Sequence, residues 1–127
     1  PIIVYLSDAV GTQTETIYVR ALAHKKKLYF RKYILKESAI GVALGIIFGG
    51  VLGIFAGYWL NSQAIGVTIG LAAFINLSIA PAVALFISNT IRKQHRDPAL
   101  GAGPVGTIFQ DLISILVYFT VASIIVF

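Results

Sequence analysis

Residues 38–60 read SAIGVALGIIFGGVLGIFAGYWL, twenty-three residues without one charged side chain. As a helix this stretch would cover about 35 Å, more than the ~30 Å hydrocarbon core of a bilayer. Gly41, Gly45, Gly49, Gly53 and Gly57 recur within it at strict intervals of four. That spacing makes four overlapping GxxxG units and a glycine groove along one helix face. In lipid such a face lets two backbones approach closely, with dense packing and weak Cα–H contacts. The face would meet either another helix of the same chain or a second copy, and neither arrangement specifies a chemistry.

Outward from this stretch the pattern repeats. A short polar turn, Asn61-Ser62-Gln63, leads into an uncharged run over 64–91, broken only by small polar residues and Pro81. A further apolar run over 103–127 carries one acid, Asp111, and Pro104 is suited to its first turn. The opening run, 1–23, is apolar at both ends but holds Ser7, Asp8, Thr12, Gln13, Thr14, Glu15 and Thr16 between them. A lipid-facing helix would not tolerate that series, so it is expected as a helix, or a broken helix, among other helices or lining water. The expected fold is an all-α membrane protein with one domain, 1–127. Four membrane-spanning segments cover approximately 1–23, 38–60, 64–91 and 103–127, with basic loops at 24–37 and 92–100. Composition agrees: 57% of the 127 residues are apolar and 12% charged, with a mean hydropathy of +0.87. So little polar surface argues against a soluble enzyme of ordinary type. The chain has no Cys, which removes thiol catalysis and zinc–thiolate sites, and no Met. The absence of an initiator reads as a missing beginning.

The positive charges orient the bundle. Arg20, Lys25, Lys26, Lys27, Arg31, Lys32 and Lys36 cluster between the first two segments, and Arg92, Lys93 and Arg96 between the last two. All ten cations then fall on one side of the membrane, against five acids in the whole chain. By the positive-inside bias these loops are cytoplasmic and both the N-terminal end and Phe127 lie outside, in a multi-pass protein of the plasma (inner) membrane. The stretch 24–36, with Leu28, Tyr29, Phe30, Tyr33 and Ile34 among its basic residues, is suited to lie along the anionic inner surface. Orientation accounts for the charge, so no nucleic-acid partner is expected; the partner is the lipid bilayer.

The minority sign is more informative. Glu37 and Asp97 stand beside the basic loops and are expected to be solvated, whereas Asp8, Glu15 and Asp111 fall within spanning segments. Acids in hydrocarbon are costly and point to function by default. Thr107, Asp111, Ser114 and Tyr118 form one helical stripe, flanked by Gln110, and Asp8, Thr12 and Glu15 share another face. The competing reading makes these carboxyls structural, protonated or hydrogen-bonded. Carboxylates, hydroxyls and amides form a hard-oxygen set that suits Mg²⁺ or Ca²⁺ better than copper or zinc. His24 and His95 lie in basic loops, a poor place for a cation ligand. No nucleophile–base spacing or phosphate loop is present, so no enzyme is expected. Two other classes fit the residues: a non-transporting scaffold subunit using the glycine ridge, and a Na⁺- or H⁺-coupled carrier of another solute.

A family resemblance narrows the choice. Gly11-Thr12-Gln13-Thr14-Glu15-Thr16, running into Tyr18-Val19-Arg20-Ala21-Leu22, resembles the second membrane helix of the MgtE family of magnesium transporters. Asp97-Pro98-Ala99-Leu100, then Gly103-Pro104, Asp111 and Val117-Tyr118-Phe119, is similar to that family's fourth loop and fifth helix. The resemblance implies a dimeric ion-conducting domain with Mg²⁺ as the transported ion and a pore near the two-fold axis. With five helices in the family pattern, the first would be missing here. It also implies that Asp111, seven residues after Pro104, contributes the central Mg²⁺ site. Thr107 would line the same site, through its backbone carbonyl, with Asp8 and Glu15 as further metal candidates. Thr12, Gln110, Ser114 and Tyr118 are pore-lining candidates. Where the family carries Asn two positions before the motif glycine, Ala9 stands here, with acids at Asp8 and Glu15. The ligand set accordingly departs from the family's.

Overall fold

The computed structural model describes residues 1–24 and 29–127, with the backbone alone at 101 and 102. Four α-helices make the described part: α1 (Ile2–Ala23), α2 (Phe30–Trp59), α3 (Gln63–Lys93) and α4 (Pro104–Val126). A 3₁₀ segment, Pro98–Ala102, links the last two. No strand occurs among the described residues. α2, α3 and α4 are each long and apolar enough to cross a membrane, and the chain is an all-α membrane protein. α1 is one continuous helix whose polar middle lowers its apolar character below theirs.

Local sequence explains the boundaries. Pro104 opens α4 behind Gly103, where its missing N–H costs no helix bond. Ser62 caps α3 by accepting a hydrogen bond from the Ile65 N–H at 3.4 Å. The preceding Asn61 takes a positive φ of 48°, a conformation Asn tolerates better than most residues. Asp97 caps the 3₁₀ segment, accepting from the Ala99 N–H at 2.9 Å. The largest departure from the expected boundaries is at α2, which begins at Phe30 and not near Ser38. The stretch from Phe30 to Lys36 is therefore the start of that helix. Lys25, Lys26, Lys27 and Leu28 lie outside the described residues. At thirty residues, α2 is about 45 Å long, so its basic first turns can extend beyond the hydrocarbon.

α3 is the hub. It packs against each of the other three helices, and α1 and α4 also pack against each other. Its buried residues are mostly small: Gly66, Ala72, Ala73, Ala80 and Ala84 among them. The glycine face of α2 lies on α3 within the same chain. A Cβ at Gly49 would fall 2.7 Å from the Gly70 carbonyl oxygen, and one at Gly66 would fall 2.7 Å from that of Gly53. Gly41 and Gly45 continue the seam against Leu77, Pro81 and Phe74, and Gly57 meets Gly66 more loosely, at 3.5 Å. Large apolar side chains turn outward instead: Ile46, Ile54 and Phe55 on α2, and Ile108, Leu116 and Phe119 on α4. In water that surface would be untenable, whereas lipid solvates it. Tyr58 and Trp59 are exposed at the end of α2 remote from the basic residues, where aromatic side chains favour a membrane interface.

Candidate metal centre between α1 and α4

The polar face of α1 turns toward α3 and α4. Asp8, Gly11, Thr12 and Glu15 from α1 line a narrow cleft with Ala84 and Ile87 of α3 and Gly106, Thr107 and Gln110 of α4. Its free volume is ≈ 10 Å³, the room of about one water molecule. Gly11 permits the approach of the walls: a Cβ there would meet the Gln110 side-chain oxygen at 3.2 Å.

The two acids of α1 are placed differently. Glu15 is only 3% exposed, and the Ser88 hydroxyl donates to its Oε1 at 2.6 Å. Ser88, itself fully buried, also lies 3.2 Å from the Pro98 carbonyl oxygen, so the Glu15 carboxyl, α3 and the 3₁₀ segment meet at one hydroxyl. Asp8 is half-buried on the cleft wall. Thr12 is exposed at the rim.

On α4 the expected stripe divides. Thr107 and Gln110 line the cleft. Asp111 is half-buried but is not part of the cleft lining. One residue along an α-helix is a rotation of about 100°, so Gln110 and Asp111 face different surroundings, while Asp111 lies one turn along the helix from Thr107. Ser114 is fully buried, and Tyr118 borders a different cavity near the start of α1. Gln110, only 3% exposed, donates to the Ser7 hydroxyl at 2.7 Å. Among the described residues no group of three acids or histidines converges as a ready-made metal cage.

Residues 1–121 match the model of the MgtE family, described as a divalent cation transporter. The chain belongs to the MgtE family. It is 35% identical over 115 residues to the magnesium transporter MgtE of Enterococcus faecalis, a match covering 89% of this chain and 25% of that protein. It is also similar to the magnesium transporter MgtE of Bacillus subtilis (24% identity, 97% of this chain, 28% of the relative). A third relative, from Thermus thermophilus, is 25% identical over 98% of this chain and 28% of its own length. The chain thus spans about a quarter of the length of the curated relatives it matches. The family is one of divalent cation transporters.

Several polar residues of this MgtE segment were not legible as site residues. Ser7, Asn76 and Ser88 are each fully buried, yet in sequence they are small polar residues that carry no motif of their own. Glu37, expected in solvent, is 5% exposed and accepts from the Thr14 hydroxyl at 3.4 Å. The early start of α2 is the cause, since it places Glu37 inside the helix on the side facing α1. Asp97 is exposed, as the sequence suggested.

Proposed function

We propose that this chain forms part of a transmembrane path for Mg²⁺, in which the cleft between α1 and α4 and the neighbouring Asp111 carboxylate attract and pass the ion without covalent chemistry. The observation that carries this reading is the convergence of Asp8 and Glu15 of α1 with Thr107 and Gln110 of α4, in a chain of a divalent cation transporter family. Mg²⁺ prefers oxygen ligands and gives up its water reluctantly. A cleft with room for one water is too small for the hydrated ion, so passage requires α1 and α4 to part or the ion to travel along the rim of Asp8, Thr12 and Thr107. Asp111 lies one turn beyond Thr107, and a two-fold partner would bring a second Asp111 carboxylate to the same ion. That arrangement supplies the charge that a single chain lacks and makes the working unit a homodimer in the plasma membrane, with the basic helix ends cytoplasmic and Phe127 outside.

The scaffold reading uses the glycine ridge, most of which packs on α3 of the same chain, while Gly53 and Gly57 stay partly accessible along an open groove. The proposal is tested by Mg²⁺ uptake into proteoliposomes. Asp111→Ala should reduce flux by at least about tenfold, equivalent to ~1.4 kcal/mol of lost ion stabilisation, and Asp8→Asn should reduce it less. Unchanged flux in Asp111→Ala would remove Asp111 from the path.

A further inference from the structure

α2 and α4 both pack on α3 and share little contact with each other, which leaves a groove of ≈ 630 Å³ between them. α3 contributes Ala82, Val83 and Ile87 to its lining, α2 contributes Ile34, and α4 contributes Val105 and Phe109. Thr90 is the one polar lining residue, and its hydroxyl donates to the Phe86 carbonyl of its own helix at 2.8 Å. The lining therefore suits hydrocarbon and not an ion. From Ala82 to Ile91 on α3, and from Val105 to Ile113 on α4, it extends about 12–14 Å along the helices. That is close to the ~15 Å of hydrocarbon in one leaflet.

The groove reaches the basic end of the bundle. Arg31 lies three residues before Ile34, and Lys93 three residues after Thr90, so each continues a lining face by about one turn. Both are exposed. Against them and the neighbouring Arg92 and Arg96 stands one exposed acid, Asp97, whose carboxylate accepts from the Ala99 N–H. The apolar groove along Gly45 to Gly57 runs instead toward Tyr58 and Gln63, at the end remote from the cations. We propose that the groove between α2 and α4 binds an acyl chain of an anionic phospholipid from the leaflet on the basic side, with Arg31 and Lys93 attracting its headgroup. The apolar lining alone would accept a chain of any lipid; the cations at its mouth select the charge. Their long stems can lie along the groove edge while the charged ends reach the headgroup. Each Lys or Arg near a membrane surface favours an anionic lipid by about fivefold. This site goes beyond the transport reading and requires a membrane-embedded bundle but no Mg²⁺.

The chain has one Trp, at the far end of α2, so Trp59→Phe gives a background without tryptophan. In phosphatidylcholine bilayers, Phe109→Trp in that background reports on the groove, and Leu116→Trp on the exposed face of α4 serves as control. Quenching by phosphatidylglycerol brominated in its acyl chains, compared with equally brominated phosphatidylcholine, gives the relative affinity at each position. Phosphatidylglycerol should be preferred by about tenfold or more at position 109 and not at position 116. Arg31→Gln/Lys93→Gln should bring the preference at 109 close to one. Equal quenching by the two lipids at 109, or a preference that the double variant leaves unchanged, overturns the proposal. No quenching by either lipid also overturns it, because a protein surface such as a second copy would then cover the groove. A second measurement avoids the tryptophan variants. In neutral detergent, added phosphatidylglycerol should raise Tm more than phosphatidylcholine does, and Arg31→Gln/Lys93→Gln should remove the difference. Equal shifts with the two lipids overturn the proposal. Neither readout uses metal, so loss of the lipid site and loss of the transport reading are separable.

Discussion

The Ser88 hydroxyl and the Glu15 carboxyl, separated by 73 positions in sequence, meet at 2.6 Å in the buried contact of α1 and α3. The pair joins an element of the cleft to the helix that organises the bundle. Ser88→Ala leaves a buried carboxyl without its hydroxyl donor and should lower stability by about 1–3 kcal/mol. Glu15→Gln should cost less, because an amide retains an acceptor for the same hydroxyl. In the double variant Glu15→Gln/Ser88→Ala the losses should be less than additive, the signature of a shared interaction. Denaturation of the four proteins in detergent decides this; simple additivity would show that the two side chains do not depend on each other.

The α2–α3 seam predicts opposite outcomes at adjacent glycines. A Cβ at Gly49 would sit 2.7 Å from the Gly70 carbonyl oxygen, whereas one at Gly50 has nothing within 4 Å. Gly49→Ala must push the helices apart and should destabilise by about 1–3 kcal/mol, the usual cost of overpacking. Gly50→Ala gains helix propensity without a clash and should be neutral or stabilising by up to ~1 kcal/mol. Gly57→Ala, meeting its neighbour at 3.5 Å, should fall between them. Tm measurements on the three variants check the order.

Helix existence was legible because the apolar runs are long and a bilayer leaves no other use for them. Helix limits were less so: the basic residues from Arg31 to Lys36 read as a loop, yet they have good helix propensity and extend α2 beyond the apolar stretch. For the same reason Glu37 was misplaced into solvent. In the candidate site, the shared face of Asp8, Thr12 and Glu15 followed from helical spacing alone. Ser88 and Asn76 did not, because periodicity gives the face of a residue on its own helix but not which helix will cover it. On α4 the expected stripe from Thr107 to Tyr118 extends about 16 Å along the helix, so its two ends border different spaces, Thr107 the cleft and Tyr118 the cavity near the start of α1.

Ion binding by the folded bundle should be visible without a transport assay. A ligand that binds only the native state raises its stability, by about 2.7 kcal/mol at one hundred times its Kd. Mg²⁺ should therefore raise Tm in a concentration-dependent way, and Asp111→Ala should reduce or remove the shift. Gly50→Ala should keep it. A shift of equal size with Na⁺ at matched ionic strength would reduce the effect to screening.

Gly41 and Pro81 offer the most specific test of how α3 is held. Pro81 lies inside α3 and has no N–H, so the Leu77 carbonyl four residues earlier loses its helical donor. That carbonyl faces Gly41: a Cβ there would fall 2.6 Å from the Leu77 oxygen and 2.9 Å from the Pro81 ring. The glycine Cα–H thus provides a weak contact to an otherwise underused acceptor. Gly41→Ala should be among the most destabilising substitutions in the seam, because it meets both a carbonyl and a ring. Pro81→Ala in the same chain removes the ring atoms and lets residue 81 donate to Leu77, but the carbonyl still stands opposite residue 41. Rescue should accordingly be partial, with the double variant more stable than Gly41→Ala and less stable than Pro81→Ala. Full rescue would assign the whole clash to the ring, and no rescue would assign it to the carbonyl alone; Tm values of the three variants separate these outcomes.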